Sequence, residues 1–121
     1  MATNKEIVAK VNEAFTKGDV EAFLACCAED FTWDMVGDFK STDKKAVREF
    51  MGDMKPGDAP TFTVDAVIGE GDRVVCDGDM QMKTKEGKDW KGRYCDMYII
   101  KDGLVQELKS YVVEYKKEKK D

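Results

Sequence analysis

One aspartate lies where a carboxylate could do chemistry. Asp34 falls inside the apolar part of EDFTWDMVGD (residues 29 to 38), beside Trp33. A carboxyl group enclosed by apolar side chains has its charged form disfavoured, so its pKa rises and it can exchange a proton near neutral pH. The alternative for Asp34 is a strand-end carboxylate in water.

The composition makes carboxylates and tyrosines the main candidates. The chain has no histidine, which excludes Ser-His and Cys-His catalysis and imidazole metal sites. The four cysteines (Cys26, Cys27, Cys76 and Cys95) lack the paired spacing of a zinc site. We expect free thiols that fill the core in a reducing compartment, with a Cys76–Cys95 redox pair as the less favoured alternative. Neither a metal nor an organic cofactor is therefore expected.

Length and charge limit the class of protein. The 121 residues predict a single domain over residues 1–121, large enough to bury a core without metals or disulfides. The net charge of −5, with arginine only at 48, 73 and 93, argues against nucleic-acid binding. No apolar run approaches the length of a membrane span, and the N-terminus MATNKEIV lacks a signal peptide's apolar segment. We expect a soluble cytoplasmic protein that binds neither nucleic acid nor membrane.

The first half of the sequence predicts three helices. Thr3 and Glu6 form a capping box, Gly18 stops the first helix, and Asp19 caps the second. A third helix is expected to start near Thr42 or Asp43 and to end at Pro56-Gly57. The apolar stripes predicted for these helices are Ile7, Val8, Val11, Ala14 and Phe15, then Val20, Phe23, Leu24 and Cys27, then Val47, Phe50, Met51 and Met54.

The second half predicts strands over residues 61–69, 73–84, 89–101 and 104–115. Short Gly-containing turns separate them, which is typical of consecutive antiparallel hairpins. Helices followed by an antiparallel meander predict an α+β domain, with the helices packed on one face of the sheet.

Several segments resemble the nuclear transport factor 2-like superfamily, in its SnoaL-like and ketosteroid-isomerase-like branch. They are KGDVEAFLACCAEDFTW, KKAVREFM, GEGDRVV and YCDMYIIKDGLVQELKSYV, and they span nearly the whole chain. The resemblance implies a cystatin-like, cone-shaped α+β barrel of three N-terminal helices on a curved, mostly antiparallel sheet. It also implies an apolar pocket for a small hydrophobic molecule, between the helices and the concave face of the sheet.

The same resemblance assigns roles to individual residues. Asp34 matches the general base of ketosteroid isomerases, although the match needs a one-residue gap just before it. Asp96, with Tyr94 and Tyr98 two residues away on the same strand face, matches a second acid that would serve as acid or oxyanion donor. The alternative for Asp96 is an outward residue on a half-exposed strand. The family's oxyanion tyrosine corresponds to Val11, which argues against steroid isomerisation and leaves Tyr94 or Tyr98 as substitutes. These roles imply proton abstraction next to a carbonyl, as in an isomerase or cyclase. The substrate-binding residues expected are Phe15, Trp33, Phe50, Met54, Met80, Trp90, Tyr94 and Tyr98.

Two further expectations concern binding. The same fold could hold a ligand without catalysis or serve as an assembly domain, because a binding module needs only the apolar pocket. The alternate face of the strand that carries Asp96 is also apolar, at Cys95, Met97 and Ile99. Two apolar faces indicate that the strand is covered on both sides. The resemblance implies pairing through the convex face of the sheet, and we therefore expect a homodimer formed through that face.

Overall fold

Three helices and seven strand segments form the part of the chain that the computed structural model describes, namely residues 3–37, 39–41, 43–51, 60–83 and 86–116. The helices are α1 (Asn4–Lys17), α2 (Val20–Ala25) and α3 (Lys44–Met51). The strands are β1 (Cys27–Met35), β2 (Phe39–Ser41), β3 (Thr61–Phe62), β4 (Ala66–Glu70), β5 (Arg73–Lys83), β6 (Asp89–Lys101) and β7 (Leu104–Glu114). Because β1 and β2 lie between α2 and α3, the three helices are not consecutive.

The first two helices are capped where the sequence predicts. The Thr3 side chain accepts a hydrogen bond from the Glu6 N–H at 3.2 Å, which confirms Thr3 as the N-cap of α1. The Thr3 hydroxyl also donates to the Glu6 carboxylate at 3.2 Å. Gly18 ends α1 with a φ of 68°, a left-handed conformation that glycine adopts without strain. The Asp19 carboxylate then accepts a hydrogen bond from the Ala22 N–H at 3.0 Å and so caps α2.

The third helix also begins at the predicted position. The Asp43 carboxylate accepts a hydrogen bond from the Ala46 N–H at 2.8 Å, and Val47 is fully buried, as predicted. The remaining predictions for this helix fall on side chains or residues outside the described part of the chain: Phe50, Met51, Met54, Pro56 and Gly57. Within the described ranges, no helix is both long enough and apolar enough to cross a bilayer.

One curved sheet contains all the described strands, in the order β2-β1-β7-β6-β5-β3, with β4 also paired to β5. The antiparallel hairpins β5–β6 and β6–β7 confirm the predicted meander. The single strand predicted over 61–69 is interrupted at residues 63–65, so β3 and β4 pair with successive parts of β5. The physical reason lies at Thr63, whose hydroxyl accepts the Asp79 N–H at 2.8 Å and whose carbonyl accepts the Tyr94 hydroxyl at 2.7 Å.

Strand β1 is absent from the sequence prediction, which placed Cys27 on a helical stripe. The structure corrects this, because α2 is only six residues long and Cys27 begins β1. Phe31 and Trp33 are both buried, as expected from the two-residue period of a strand. β1 pairs in parallel with β7, and Met35 lies opposite Ser110, 75 residues further along the chain. Since a parallel pair has no connecting turn, no local signal marks it.

The helices cover one face of the sheet, which we call the inner face; the opposite one is the outer face. Buried residues of α1 and α2 join the strands in one core, through Ile7, Val8, Val11, Ala14, Phe23 and Leu24. The buried residues that the strands contribute to the inner face are Phe31, Trp33, Val74, Cys76, Tyr94, Asp96, Tyr98, Ile100, Leu108 and Ser110. Asp96 is the acidic residue among these buried positions, and a buried carboxyl group is costly unless it has a partner or a function.

Candidate functional site

Asp96 lies at the centre of the inner face. It is 8% exposed, and its neighbours across the sheet are Cys76 on β5 and Ser110 on β7. Ser110 is itself buried and lies opposite Met35 of β1. The carboxyl group is therefore held by the central strands rather than by a loop, which fixes its position.

A chain of hydrogen bonds orients the Asp96 carboxyl group. The Trp33 indole N–H donates to the Ser110 hydroxyl oxygen at 3.0 Å, and the Ser110 hydroxyl in turn hydrogen-bonds Asp96. Burial raises the pKa of Asp96 from the ordinary 3.8 to about 7, and the Ser110 hydrogen bond opposes this only in part. A carboxyl group with this pKa can both accept and donate a proton near neutral pH.

Tyr98 supplies a hydrogen-bond donor close to Asp96. The two residues are separated by one position on β6, so their side chains point to the same face. Tyr98 is completely buried, and within the described part of the chain its hydroxyl has no hydrogen-bond partner. Burial, and then the neighbouring Asp96 charge, raise the pKa of Tyr98 well above its ordinary value, so the phenol stays protonated. A buried donor without a partner costs stability, which suggests a role other than packing.

A second polar cluster lies beside Asp96, on the β5 side. The Asn12 side-chain amide donates to the Cys76 sulfur at 3.5 Å, and that sulfur lies 3.7 Å from the Tyr94 hydroxyl oxygen. The Tyr94 hydroxyl donates to the Thr63 carbonyl at 2.7 Å, so its hydrogen is already used. The cluster joins α1 to two neighbouring strands.

Aromatic rings line the inner face around these polar groups. The Phe15 ring centroid lies 5.9 Å from that of Trp33 and 6.3 Å from that of Phe62. Phe62 meets Tyr94 edge to face at 5.5 Å. These contacts make a continuous apolar wall with the polar groups at its base.

Trp90 and Met80 extend the same face along the strands. Gly92 is the inner-face residue between Trp90 and Tyr94, and a methyl group added at Gly92 would collide with the Trp90 ring. The Trp90 ring therefore lies over Gly92. Met80 lies opposite Gly92 on one side and Phe62 on the other, so it shares this face.

The structure places Asp34 away from Asp96. Trp33 points to the inner face, because it bonds Ser110, and the side chain of the next residue in a strand points to the opposite face. Asp34 lies opposite Lys109 of β7, and Lys109 lies opposite Met97 of β6 on the outer face. The prediction that Asp34 and Asp96 share one pocket is therefore wrong in this structure.

The remaining predicted site residues divide into two groups. Those brought together on the inner face, or packed against it, are Phe15, Trp33, Met80, Trp90, Tyr94, Asp96 and Tyr98. The side chain of Phe50 and all of Met54 lie outside the described residues. Sequence reasoning missed Asn12, Phe62, Cys76 and Ser110 as members of the site. For Ser110 the available signal was its spacing of two from the apolar Leu108, which indicates the same face.

A separate hollow of about 190 Å³ lies at the sheet surface, lined by Asp89, Lys91, Glu114, Tyr115 and Lys116. Lys91 is five residues from Asp96 along β6, roughly 16 Å at the rise of a strand. Four of the five lining residues are charged, and all five are exposed. This hollow does not include the buried carboxylate, and it suits an apolar ligand less well than the inner face does.

Solved structures of similar shape define the class of fold. An NTF2-like protein of unknown function from Cytophaga hutchinsonii is 25% identical, with a TM-score of 0.74 over 92% of this chain and 100% of its own. A candidate ketosteroid isomerase from Kribbella flavida is 15% identical, with a TM-score of 0.76 over 96% of this chain and 82% of its own. A candidate SnoaL-like polyketide cyclase from a Jannaschia species is 15% identical, with a TM-score of 0.78 over 90% of this chain and 84% of its own. The chain has the NTF2-like α+β fold.

The sequence comparison defines the family within that class. The profile of the SnoaL-like domain matches residues 8–108, which is most of the chain. The chain therefore belongs to the SnoaL-like domain family, and the resemblance found in its sequence is confirmed. None of the curated proteins compared with the chain matches it.

We predict that Asp96→Asn makes stability less dependent on pH. The folded wild type keeps a proton that the unfolded chain releases above pH 3.8, so its stability falls as pH rises from about 4 to about 7 and then levels off. The pKa of Asp96 differs by about 3 units between the unfolded and folded states, and each unit corresponds to about 1.4 kcal/mol. The free energy of unfolding of the wild type should therefore fall by up to about 4 kcal/mol over this pH range. Urea unfolding of both proteins at several pH values measures this, and a constant difference between them would contradict the buried-acid interpretation.

We predict opposite effects from two tyrosine substitutions on β6. Tyr98→Phe removes a hydroxyl without a partner among the described residues, so the stability of the ligand-free protein should stay equal or increase. Tyr94→Phe removes the hydrogen bond to the Thr63 carbonyl and should cost about 1 kcal/mol. Thermal and urea unfolding compare the pair. A clear loss of stability in Tyr98→Phe would show that this hydroxyl has a structural partner.

Proposed function

We propose that the chain binds a small apolar carbonyl compound between its helices and the concave inner face of a cone-shaped barrel, and catalyses proton transfer next to the carbonyl. The observation that carries the proposal is Asp96, a buried carboxyl group with a pKa of about 7 on the inner face. The aromatic wall around Asp96 suits an apolar ligand. The fold relatives named as candidate ketosteroid isomerase and polyketide cyclase are consistent with this reaction class.

Asp96 is the proton-transfer group in this proposal. In its ionised form it removes a proton from the carbon next to the carbonyl, and the electron pair of the broken C–H bond moves to give an enolate. Tyr98 donates a hydrogen bond to the enolate oxygen, because its hydroxyl has no competing partner among the described residues. The proton on Asp96 then returns to a carbon of the ligand, which completes an isomerisation.

The assignment differs from the expectation based on the family resemblance, in which Asp34 was the base. Asp34 lies on the outer face, and Val11 is fully buried at the position of the family's oxyanion tyrosine. Asp96 therefore takes the base role, and Tyr98 the oxyanion role.

A non-catalytic ligand-binding domain is the second candidate function. The observation in its favour is enclosure, because Tyr98 is fully buried and Asp96 is 8% exposed. A ligand would have to displace neighbouring side chains to reach them. In that case the protonated Asp96 donates a hydrogen bond to the ligand's carbonyl, and no proton leaves carbon.

Deuterium exchange separates the two functions. β-Tetralone is a small apolar ketone with acidic hydrogens next to its carbonyl, and proton NMR follows their replacement in deuterated buffer. We expect the protein to accelerate the exchange, with a rate that rises as Asp96 loses its proton through pH about 7. Asp96→Asn should lower the rate by at least about a hundredfold.

Asp34→Asn is the matched control, since it makes the same chemical change on the outer face. A loss of exchange in Asp34→Asn but not in Asp96→Asn would overturn the assignment of the base. If β-tetralone binds and no variant changes its exchange, the protein is a binding domain.

We propose further that two copies pair through the outer face, in a reducing, cytoplasmic compartment that suits four free thiols. Ile68, Val75 and Met97 lie side by side across three strands of this face, and Ile68 is 66% exposed. Tyr111 and Val113 on β7 add exposed apolar side chains to this face, with exposures of 42% and 69%, and Val113 lies opposite Arg93. Exposed apolar residues that lie next to one another form a patch, which is a feature typical of protein–protein contacts. Burial of this patch against the same patch of a second copy would stabilise a dimer.

Light scattering tests the dimer. Met97→Asp places a charge in the middle of the outer face and should convert the protein to a monomer at micromolar concentration. Ala9→Asp adds the same charge on an exposed position of α1, away from this face, and should leave the dimer intact. A wild-type protein that is already monomeric would contradict the proposal.

A further inference from the structure

Asn12 presents a polar side chain to the inner face from above the sheet. It lies on α1 three residues before Phe15, so the two side chains share one side of the helix. Phe15 packs against Trp33, and Asn12 donates to the Cys76 sulfur at 3.5 Å. The helix therefore contributes one apolar and one polar group to the region above Asp96.

The partner of the Asn12 amide is a weak one. A thiol sulfur accepts hydrogen bonds poorly, whereas an amide N–H and an amide oxygen both bond oxygen groups well. Tyr94 is not an alternative donor in this cluster, because its hydroxyl hydrogen goes to the Thr63 carbonyl. An oxygen atom of a ligand would replace the sulfur as partner of Asn12 with a gain in hydrogen-bond strength.

The position of Asn12 relative to Asp96 follows from the strand pairing. Cys76 lies directly opposite Asp96 in the β5–β6 ladder, and both point to the inner face. Directly opposite residues have Cβ atoms about 5 Å apart. The Asn12 amide, which contacts Cys76, is thus one side chain away from the carboxyl group. A molecule of one or two rings can reach both groups at once.

We propose that Asn12 determines specificity, by binding a hydroxyl group of the ligand whose carbonyl lies at Asp96. An amide both donates and accepts, which matches a hydroxyl group that does the same. The inference rests on the proposed function and narrows its ligand class to hydroxylated apolar ketones. Asn12 acts on binding and not on proton transfer. If it served only to pack α1 on β5, its replacement would change stability without changing the choice of ligand.

Two matched ketones test the inference: β-tetralone, and hydroxy-β-tetralone with its hydroxyl on the aromatic ring. NMR titration measures their dissociation constants, and deuterium exchange measures turnover. We expect the wild type to bind the hydroxylated ketone about tenfold more tightly, which is the ratio that one good hydrogen bond provides. In Asn12→Leu, which has nearly the same size, the ratio should fall to about one.

A ratio in Asn12→Leu equal to that of the wild type, or a wild type without preference, would overturn the role of Asn12. Asn12→Ser is the second variant in case leucine prevents folding, and its short side chain should also reduce the ratio. Asp96→Asn separates this inference from the proposed function. If Asp96→Asn loses exchange but keeps the preference for the hydroxylated ketone, the proposed function and the role of Asn12 are both supported. If Asp96→Asn keeps both the exchange and the preference, only the role of Asp96 is overturned. Failure of both ketones to bind at millimolar concentration would overturn both proposals.

Discussion

The register between β6 and β7 determines the chemistry of the inner face. Lys101 pairs with Leu104 and Ile100 with Val105, but after an irregularity Ile99 pairs with Glu107. Without that shift, the same counting would place Lys109 opposite Asp96, and an ammonium group beside the carboxyl would lower its pKa. With the shift, the neighbour is Ser110, whose hydroxyl only partly offsets the effect of burial. One extra residue in one strand thus converts an ion pair into a buried acid.

Side chains alternate between the two faces along a strand, and this alternation explains why the match around Asp34 predicted the wrong face for its carboxylate. The match to a ketosteroid-isomerase base requires a one-residue gap just before Asp34. In a strand, an offset of one residue turns a side chain to the opposite face. Here the hydrogen bond between Trp33 and Ser110 fixes Trp33 inside, so Asp34 lies outside, next to Lys109. A sequence match can therefore align the right segment of chain while assigning its carboxylate to the wrong face of the strand.

The parts of the fold that sequence predicts well are those with local causes. The Thr3 cap, the Gly18 stop and the two Gly-containing hairpins depend on residues within a few positions of one another. The parallel pairing of β1 with β7 joins residues 75 positions apart, Met35 and Ser110, and no local pattern announces it. Asp96 was predicted as a site residue from the family resemblance, and Tyr98 from its spacing of two from Asp96. The bulge, and the lack of a partner for the Tyr98 hydroxyl among the described residues, are properties of the folded sheet only.

The polar groups on the two faces of the sheet differ in whether they have partners. On the outer face, Arg93 contacts the carboxylates of Asp65, Asp77 and Asp79 at 2.9 to 3.0 Å, so the charges there have partners in partly solvated surroundings. On the inner face, the pKa of Asp96 is set by burial and one hydroxyl, and a phenol beside it lacks a partner among the described residues. A chain selected for stability alone would favour apolar side chains at both inner positions, since an unpaired buried polar group costs about 1–3 kcal/mol. That cost is best explained by a ligand that completes the hydrogen bonds, which is why the inner face, and not the charged surface, is the place to look for function.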